Sequence, residues 1–203
     1  MKDISVKALA KINLGLDVVR KREDGYHEVR MVMQTIHLFD RLEISKNTSG
    51  EITMETNLSF LPTNENNLVY KAAKLLQDEF AIKDGVHVWL HKYIPVAAGM
   101  AGGSTDAAAV LYGMNQIFDL GLTREELMER GVKIGADVPY CIMRGTALAE
   151  GIGEKLSKLP PMVKCPVLIA KPQISVSTKF VYENLKLGSD MVHPDIDRLV
   201  ADI

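Results

Sequence analysis

The segment PVAAGMAGGSTDAAA, residues 95–109, constrains this chain more than any other. It follows an apolar, β-branched run and leads into an alanine-rich stretch, so it reads as strand, loop and helix in succession. Gly99, Gly102 and Gly103 permit positive φ and bring main-chain N–H groups close to a ligand. Ala97, Ala98 and Ala101 keep the loop nearly bare of side chains. Ser104 is placed to cap the helix, and with Thr105 it brings two hydroxyls to the helix start. A helix N-terminus carries partial positive charge and unpaired N–H donors, which suit a phosphate. The segment predicts a triphosphate loop, against the plainer alternative of a glycine-punctuated turn. It is not a P-loop: the Lys of G-x-x-x-x-G-K-[ST] is missing, and the chain has no G-x-G-x-x-G.

The rest of the chain supplies polar residues in unusual places. Residues 4–19 read as a strand, with Val6, Ala8 and Ala10 on one face and Ile12, Leu14 and Leu16 continuing the pattern after a shift. Lys11 and Asn13 stand two apart and share a face, as a solvated edge or as a site. Asp24-Gly25 marks a turn. Tyr26 and His27 follow it, either as packing or as a pair able to read a planar base. Strands are expected over 29–39, 42–44 and 51–55. Asn66 or Asn67 caps a helix to about Phe80, with Leu68, Ala72, Leu75, Leu76 and Phe80 inward. Over 86–94 a strand puts Val86, Val88 and Leu90 on one side and His87, Trp89 and His91 on the other; the two histidines are assigned no metal. Lys92 lies near its end.

The helix after the glycine loop runs to about Phe118, and Thr123 with Glu126 forms a capping box for another to about Ile134. Asp137 in GADVPYCIM is expected in a Gly/Pro turn before an apolar strand, where enclosure beside a lysine suits proton chemistry. A hairpin over 145–150 and 154–156 follows. Leu159-Pro160-Pro161 reads as a domain boundary. Beyond it come a short buried strand over 166–170, a short helix within 175–187 opened by hydroxyls, and the start of an amphipathic helix in 193–203.

Composition excludes several classes. A net charge of −2 gives no nucleic-acid footprint. No run is long enough to span a bilayer, and the alternating N-terminus is not a signal peptide. Cys141 and Cys165 sit in apolar company and read as reduced core residues in a cytoplasmic protein. With 47% apolar and 25% charged residues, 203 residues suffice for one domain or one and a half.

The loop form P-x-(small)-(small)-G-x-(small)-G-G-S-(S/T), followed by an alanine-rich helix, resembles the second motif of the GHMP small-molecule kinases, among them galacto-, homoserine, mevalonate and phosphomevalonate kinases. AKINLGL, DGYHEV, GADVPY and the AEGIGE hairpin narrow the resemblance, over about residues 10–182, to the branch acting on a CDP-linked methylerythritol in the non-mevalonate isoprenoid pathway. The resemblance implies an α+β, two-layer fold with a ribosomal-S5-like N-terminal domain (1–158) and a truncated C-terminal α/β domain (159–203). It implies ATP and Mg²⁺ as cofactors, Lys11 and Asp137 as the catalytic pair, and Pro95, Gly99, Met100, Ala101, Gly102, Gly103, Ser104 and Thr105 as the triphosphate loop. Ser104 is then the hydroxyl on the Mg²⁺ side. Asn67 and Lys92 match positions around the adenine. Asn13 and Thr178 lie by the substrate, Tyr26 stacks on cytosine, His27 reads its edge, and Tyr182 covers its other face.

The family's third glycine-rich motif lies beyond residue 203, so the chain reads as an N-terminal piece, a monomer or weak homodimer. Two alternatives stand beside this reading: another GHMP-type small-alcohol kinase, and a nucleotide-binding fragment without turnover.

Overall fold

A computed structural model of the chain describes residues 3–172, 174, 176–188 and 191–203, the side chains of residues 178 and 179 excepted. One strand carries the architecture. β2 (His27–Asn47) pairs along its length with antiparallel β1 (Asp3–Lys21). On its other edge it changes partner midway. Residues 41–47 pair with β4 (Gly85–His91) and residues 29–34 with β5 (Thr146–Gly151), both antiparallel. β3 (Ile52–Thr56) lies parallel to β4, and β6 (Lys155–Lys158) closes a hairpin with β5. Between β4 and β5 the sheet is split, and residues 35–40 of β2 border the split.

Both long strands exceed the usual strand length and bend to do so. β1 has irregularities between Leu9 and Lys11, between Asn13 and Gly15, and between Val18 and Arg20. Bulges re-aim side chains and free backbone groups from the ladder. Two of them bracket Lys11–Asn13, opposite the split.

Four helices cover one face: α1 (Leu68–Glu79), α2 (Gly102–Ile117), α3 (Arg124–Val132) and α4 (Val138–Met143). Their buried residues, among them Val69, Leu76, Leu111 and Met114, meet Met33, Leu42, Ile44, Val88 and Leu90 of the sheet. Burial of each such side chain contributes about 1.5–3 kcal/mol. α2 is central and buried nearly all round, as its alanine content allows. Asn67 caps α1 through Val69 N–H at 2.9 Å, and the Thr123–Glu126 capping box opens α3.

Several expectations need correction. β2 does not break at Asp40-Arg41, because buried Asp40 is satisfied by Lys92 and by the Tyr93 and Ile94 N–H groups just past β4. Residues 138–143 form a helix, not a strand, with Pro139 in the first turn, where its missing N–H costs nothing. Ser104 does not cap α2. The helix starts two residues earlier, after Ala101 in the left-handed conformation at φ 56°, and Ser104 lies within its first turn. Residues 166–170 pair with no strand and are exposed, Leu168 at 97%. Cys165 is exposed, whereas Cys141 is buried. Leu16 points outward.

After β6 the chain is tethered by Leu159 N–H to Thr146 O and Met162 N–H to Thr146 Oγ1. α5 (Thr178–Asn184) and α6 (Ile196–Ala201) follow. α6 returns to the first strands: Ile196 is buried, Arg30 holds Asp197 through two hydrogen bonds of 2.6 and 3.2 Å, and His193 pairs with Asp17 at 2.8 Å.

Candidate active site

Three elements converge where the sheet splits. The glycine loop arrives from β4, α4 arrives ahead of β5, and the bulged part of β1 lies between them. Lys11 is 5% exposed, too buried for a solvated edge. Its Nζ donates to Asn13 Oδ1 at 3.1 Å and lies 4.0 Å from Asp137 Oδ2. Asp137 sits at the N-cap position of α4, yet its side chain caps nothing there. One third of that side chain remains accessible, so the carboxylate reaches solvent beside a buried ammonium.

The loop itself is strained and small. Ala97, Gly99 and Ala101 all have positive φ, a conformation that favours glycine and tolerates alanine only where packing enforces it. Gly102 opens α2 at close quarters: a Cβ there would lie 3.1 Å from Lys92 Nζ and 3.3 Å from Ile94 Cγ2. Gly103 is exposed, and Pro95 and Ser104 are half-buried. Met100 is buried with Ala10, Ile36 and Ile94 and anchors the loop from below. Its carbonyl accepts the Lys11 N–H at 3.2 Å. Thr105 is also buried, and its hydroxyl donates to the Leu9 carbonyl at 2.8 Å. The β-bulge between Leu9 and Lys11 thus supplies the backbone groups that hold the loop.

Asn67 spends its side chain on structure, accepting from Val69 N–H and donating to Pro62 O. Lys92 turns inward: its Nζ is held by Asp40 and by Asp106, the latter at 2.7 Å, with all three side chains buried. Asp40 Oδ1 also accepts Tyr93 N–H at 2.5 Å and Ile94 N–H at 2.8 Å. Burial pushes the Asp106 carboxyl up to about 8, against the pull of Lys92. Neither aspartate was singled out in the sequence. The available signal was a charged residue, Asp40, inside an apolar strand, which requires a buried partner.

Tyr26 lies at the turn after β1, 62% exposed, and the turn is locked by Asp24, whose Oδ1 accepts Tyr26 N–H. His27 stacks on Tyr182 with ring centroids 4.9 Å apart. Tyr182 comes from α5 and stands close enough to Asp137 for that charge, after burial, to push its phenol up. Thr178 opens α5; its side chain lies outside the described residues. Among the described residues no three His, Cys, Asp or Glu side chains gather as metal ligands. Asp40 and Asp106 are both paired with Lys92, and Ser104 is half-buried in the first turn of α2.

The split sheet, the left-handed glycine loop at a helix start and the Lys–Asp pair beside it define a GHMP-type kinase. GHMP kinases N terminal domain matches residues 67–145. A homoserine kinase structure from Cytophaga hutchinsonii has the same fold, with a TM-score of 0.70 at 17% identity over all of this chain and 68% of that one. The 4-diphosphocytidyl-2-C-methyl-D-erythritol kinase of Lachnoclostridium phytofermentans is 62% identical over 98% of this chain and 69% of its own length. That of Lachnospira eligens is 59% identical over the whole chain and 70% of its own length. A crystal structure of 4-(cytidine 5'-diphospho)-2C-methyl-D-erythritol kinase superposes with a TM-score of 0.79 at 32% identity, over 98% of this chain and 70% of that one. The chain belongs to the 4-diphosphocytidyl-2-C-methyl-D-erythritol kinase family.

Proposed function

We infer that this protein transfers the γ-phosphoryl group of ATP to a hydroxyl of 4-diphosphocytidyl-2-C-methyl-D-erythritol, a step of the non-mevalonate isoprenoid pathway. The relatives' shared name supports the reaction. The observation that carries the mechanism is the 4.0 Å approach of Lys11 Nζ to Asp137 Oδ2 beside the start of α2. Residues 1–158 form the ATP-binding domain, and residues 159–203 begin the substrate domain.

Phosphoryl transfer asks for positioning and charge stabilisation more than covalent help. The backbone of residues 99–103 and the N-terminus of α2 receive the phosphates. Asp137 accepts the proton of the substrate hydroxyl as its oxygen bonds to the γ-phosphorus and ADP leaves. Lys11 keeps Asp137 ionised and offsets charge on the attacking oxygen, and Asn13 aims Lys11. Ser104 would be the protein donor to Mg²⁺, which would neutralise phosphate charge when bound. Asn67 and Lys92, expected around the adenine, serve through what they hold: the start of α1 and the floor of the loop under Gly102.

At the other end, Tyr26, His27 and Tyr182 grip the cytosine. Tyr26 and Tyr182 take its two faces and His27 its edge, with Tyr182 resting against the His27 ring.

Asp137→Asn in the full-length protein tests the assignment. Turnover of ATP with the CDP-linked substrate is expected to fall at least a hundredfold while affinity for a non-hydrolysable ATP analogue stays within about threefold. Near-parental turnover removes Asp137 from the mechanism.

A further inference from the structure

Thr35 is the Cα partner of Lys11 in the β1–β2 ladder, and it is the first residue of β2 past the pairing with β5. It therefore stands at the fork of the split sheet. Three hydrogen bonds close a ring there: Gly145 N–H donates to Thr35 Oγ1 at 3.0 Å, Thr35 Oγ1 and Tyr140 Oη lie 3.1 Å apart, and Tyr140 Oη donates to the Gly145 carbonyl at 2.7 Å. Elimination places the protons. A carbonyl only accepts and a main-chain N–H only donates. The single phenol proton goes to the Gly145 carbonyl, so the Thr35 hydroxyl donates to the phenol oxygen while accepting Gly145 N–H. The bonds run in one direction round the ring, so each polarises the next. Thr35 N–H adds a further bond to the Gly145 carbonyl at 3.0 Å.

The ring joins the two elements that carry the Lys11–Asp137 pair. Tyr140 belongs to α4, and Asp137 occupies the N-cap position of that helix. α4 has six residues, too few to be stable through its own main-chain bonds. It ends at Arg144, a non-glycine residue at φ 61° and ψ 175°, a conformation that persists only where its surroundings enforce it. Arg144 N–H donates to the Tyr140 carbonyl at 2.7 Å, and Gly145 is the main-chain member of the ring. The middle of α4 and its exit are thus both tied to the strand residue that faces Lys11. Lys11 Nζ and Asp137 Oδ2 stand 4.0 Å apart, beyond hydrogen-bond reach, so their separation is set by what holds the two elements. We propose that the Tyr140 hydroxyl, closed into a ring with Thr35 and Gly145, is a positioning device for phosphoryl transfer that fixes α4 and so aims Asp137 at Lys11.

The proposal rests on the reading of Lys11 and Asp137 as the reacting pair. Tyr140 is 1% exposed and acts through Asp137, not on substrate. The triphosphate loop is anchored elsewhere, through the Met100 carbonyl and the Thr105 hydroxyl to β1, so the ring is read in kcat and not in ATP binding. Steady-state kinetics of the full-length protein with ATP and the CDP-linked substrate test this. Tyr140→Phe keeps the buried ring and removes only the hydroxyl; kcat is expected to fall about tenfold, with KM for ATP within about twofold of the parent. Thr35→Val is expected to lose as much, whereas Thr35→Ser keeps the hydroxyl and returns kcat to within about twofold of the parent. The double variant Tyr140→Phe/Thr35→Val is expected to lie within about twofold of the slower single variant, because both changes open one ring. Parental kcat in Tyr140→Phe, a Thr35→Ser variant as slow as Thr35→Val, or multiplied losses in the double variant each overturn the proposal.

Amide hydrogen exchange decides without turnover. The N–H groups of Cys141, Arg144 and Gly145 are expected to exchange about tenfold faster in Tyr140→Phe, with those of α2 unchanged. Unaltered exchange at these three positions overturns the proposal. Where Tyr140→Phe does not fold, Thr35→Val opens the ring from the strand side and carries the same expectations. A parent that does not turn over the CDP-linked substrate instead removes the reading of the reaction, and the exchange rates still decide whether the ring holds α4.

Discussion

Thr105 Oγ1 donates to the main-chain carbonyl of Leu9 at 2.8 Å, joining the helix of the glycine loop to the strand that carries Lys11. The hydroxyl is buried and serves the scaffold, whereas its neighbour Ser104 is only half-buried. Thr105→Val keeps the shape but leaves the Leu9 carbonyl without a donor, at a cost of about 1–3 kcal/mol. Thr105→Ser restores the bond and most of the stability. Urea unfolding of the three proteins decides: a valine variant as stable as the parent means that this bond does not hold the two elements together.

Asn13 is expected to act through Lys11. Its Oδ1 accepts from Lys11 Nζ, and register irregularities flank the pair on either side. Lys11→Met fills the same space without the charge and is expected to lower kcat by about 10²–10⁴. Asn13→Ala frees the lysine instead of deleting it, so a smaller loss of about tenfold is expected, again in kcat and not in the KM for ATP. An Asn13→Ala defect confined to either KM would place Asn13 in binding alone.

Legibility in the sequence followed the range of the interaction. Asn67, the Thr123–Glu126 box and the alternation of Val86, Val88 and Leu90 are local signals, and each sits where expected. Lys11, Asn13 and Asp137 stood out because polar residues in apolar or turn settings need a reason, and the structure brings them together. What failed depended on distant partners. Asp40-Arg41 looked like a strand break because Lys92, which satisfies Asp40, is far away in sequence. Residues 166–170 looked like a buried strand, but an apolar run forms one only where a neighbour offers an edge. Ser104 lost the cap position because Ala101 turns left-handed and starts the helix early, a conformation that propensity does not forecast for alanine.

The buried Asp40, Lys92 and Asp106 beneath the loop make stability pH-dependent. The Asp106 acid is raised from the ordinary 3.8 to about 8 in the folded chain. Between those values the folded state keeps a proton that the unfolded state has released, so stability falls as pH rises through this window and levels off above about 8. Asp106→Asn removes the group and is expected to flatten this part of the profile. Melting temperatures of parent and variant from pH 5 to pH 9, roughly the window above, settle the point: parallel profiles would assign the slope to other groups.

Tyr182 is expected to separate base recognition from chemistry. Its ring rests on His27, its phenol lies near enough to Asp137 to feel its charge, and α5 carries it. If it closes over the cytosine, removing the ring forfeits a stack of about 1–3 kcal/mol and raises KM for the CDP-linked substrate roughly tenfold or more, with KM for ATP unchanged. Tyr182→Phe keeps the aromatic face and is expected to retain affinity, whereas Tyr182→Ala is not. Should the phenylalanine variant lose affinity as fully as alanine does, the hydroxyl rather than the ring of Tyr182 recognises the substrate, and stacking rests on Tyr26 alone, the exposed aromatic at the turn.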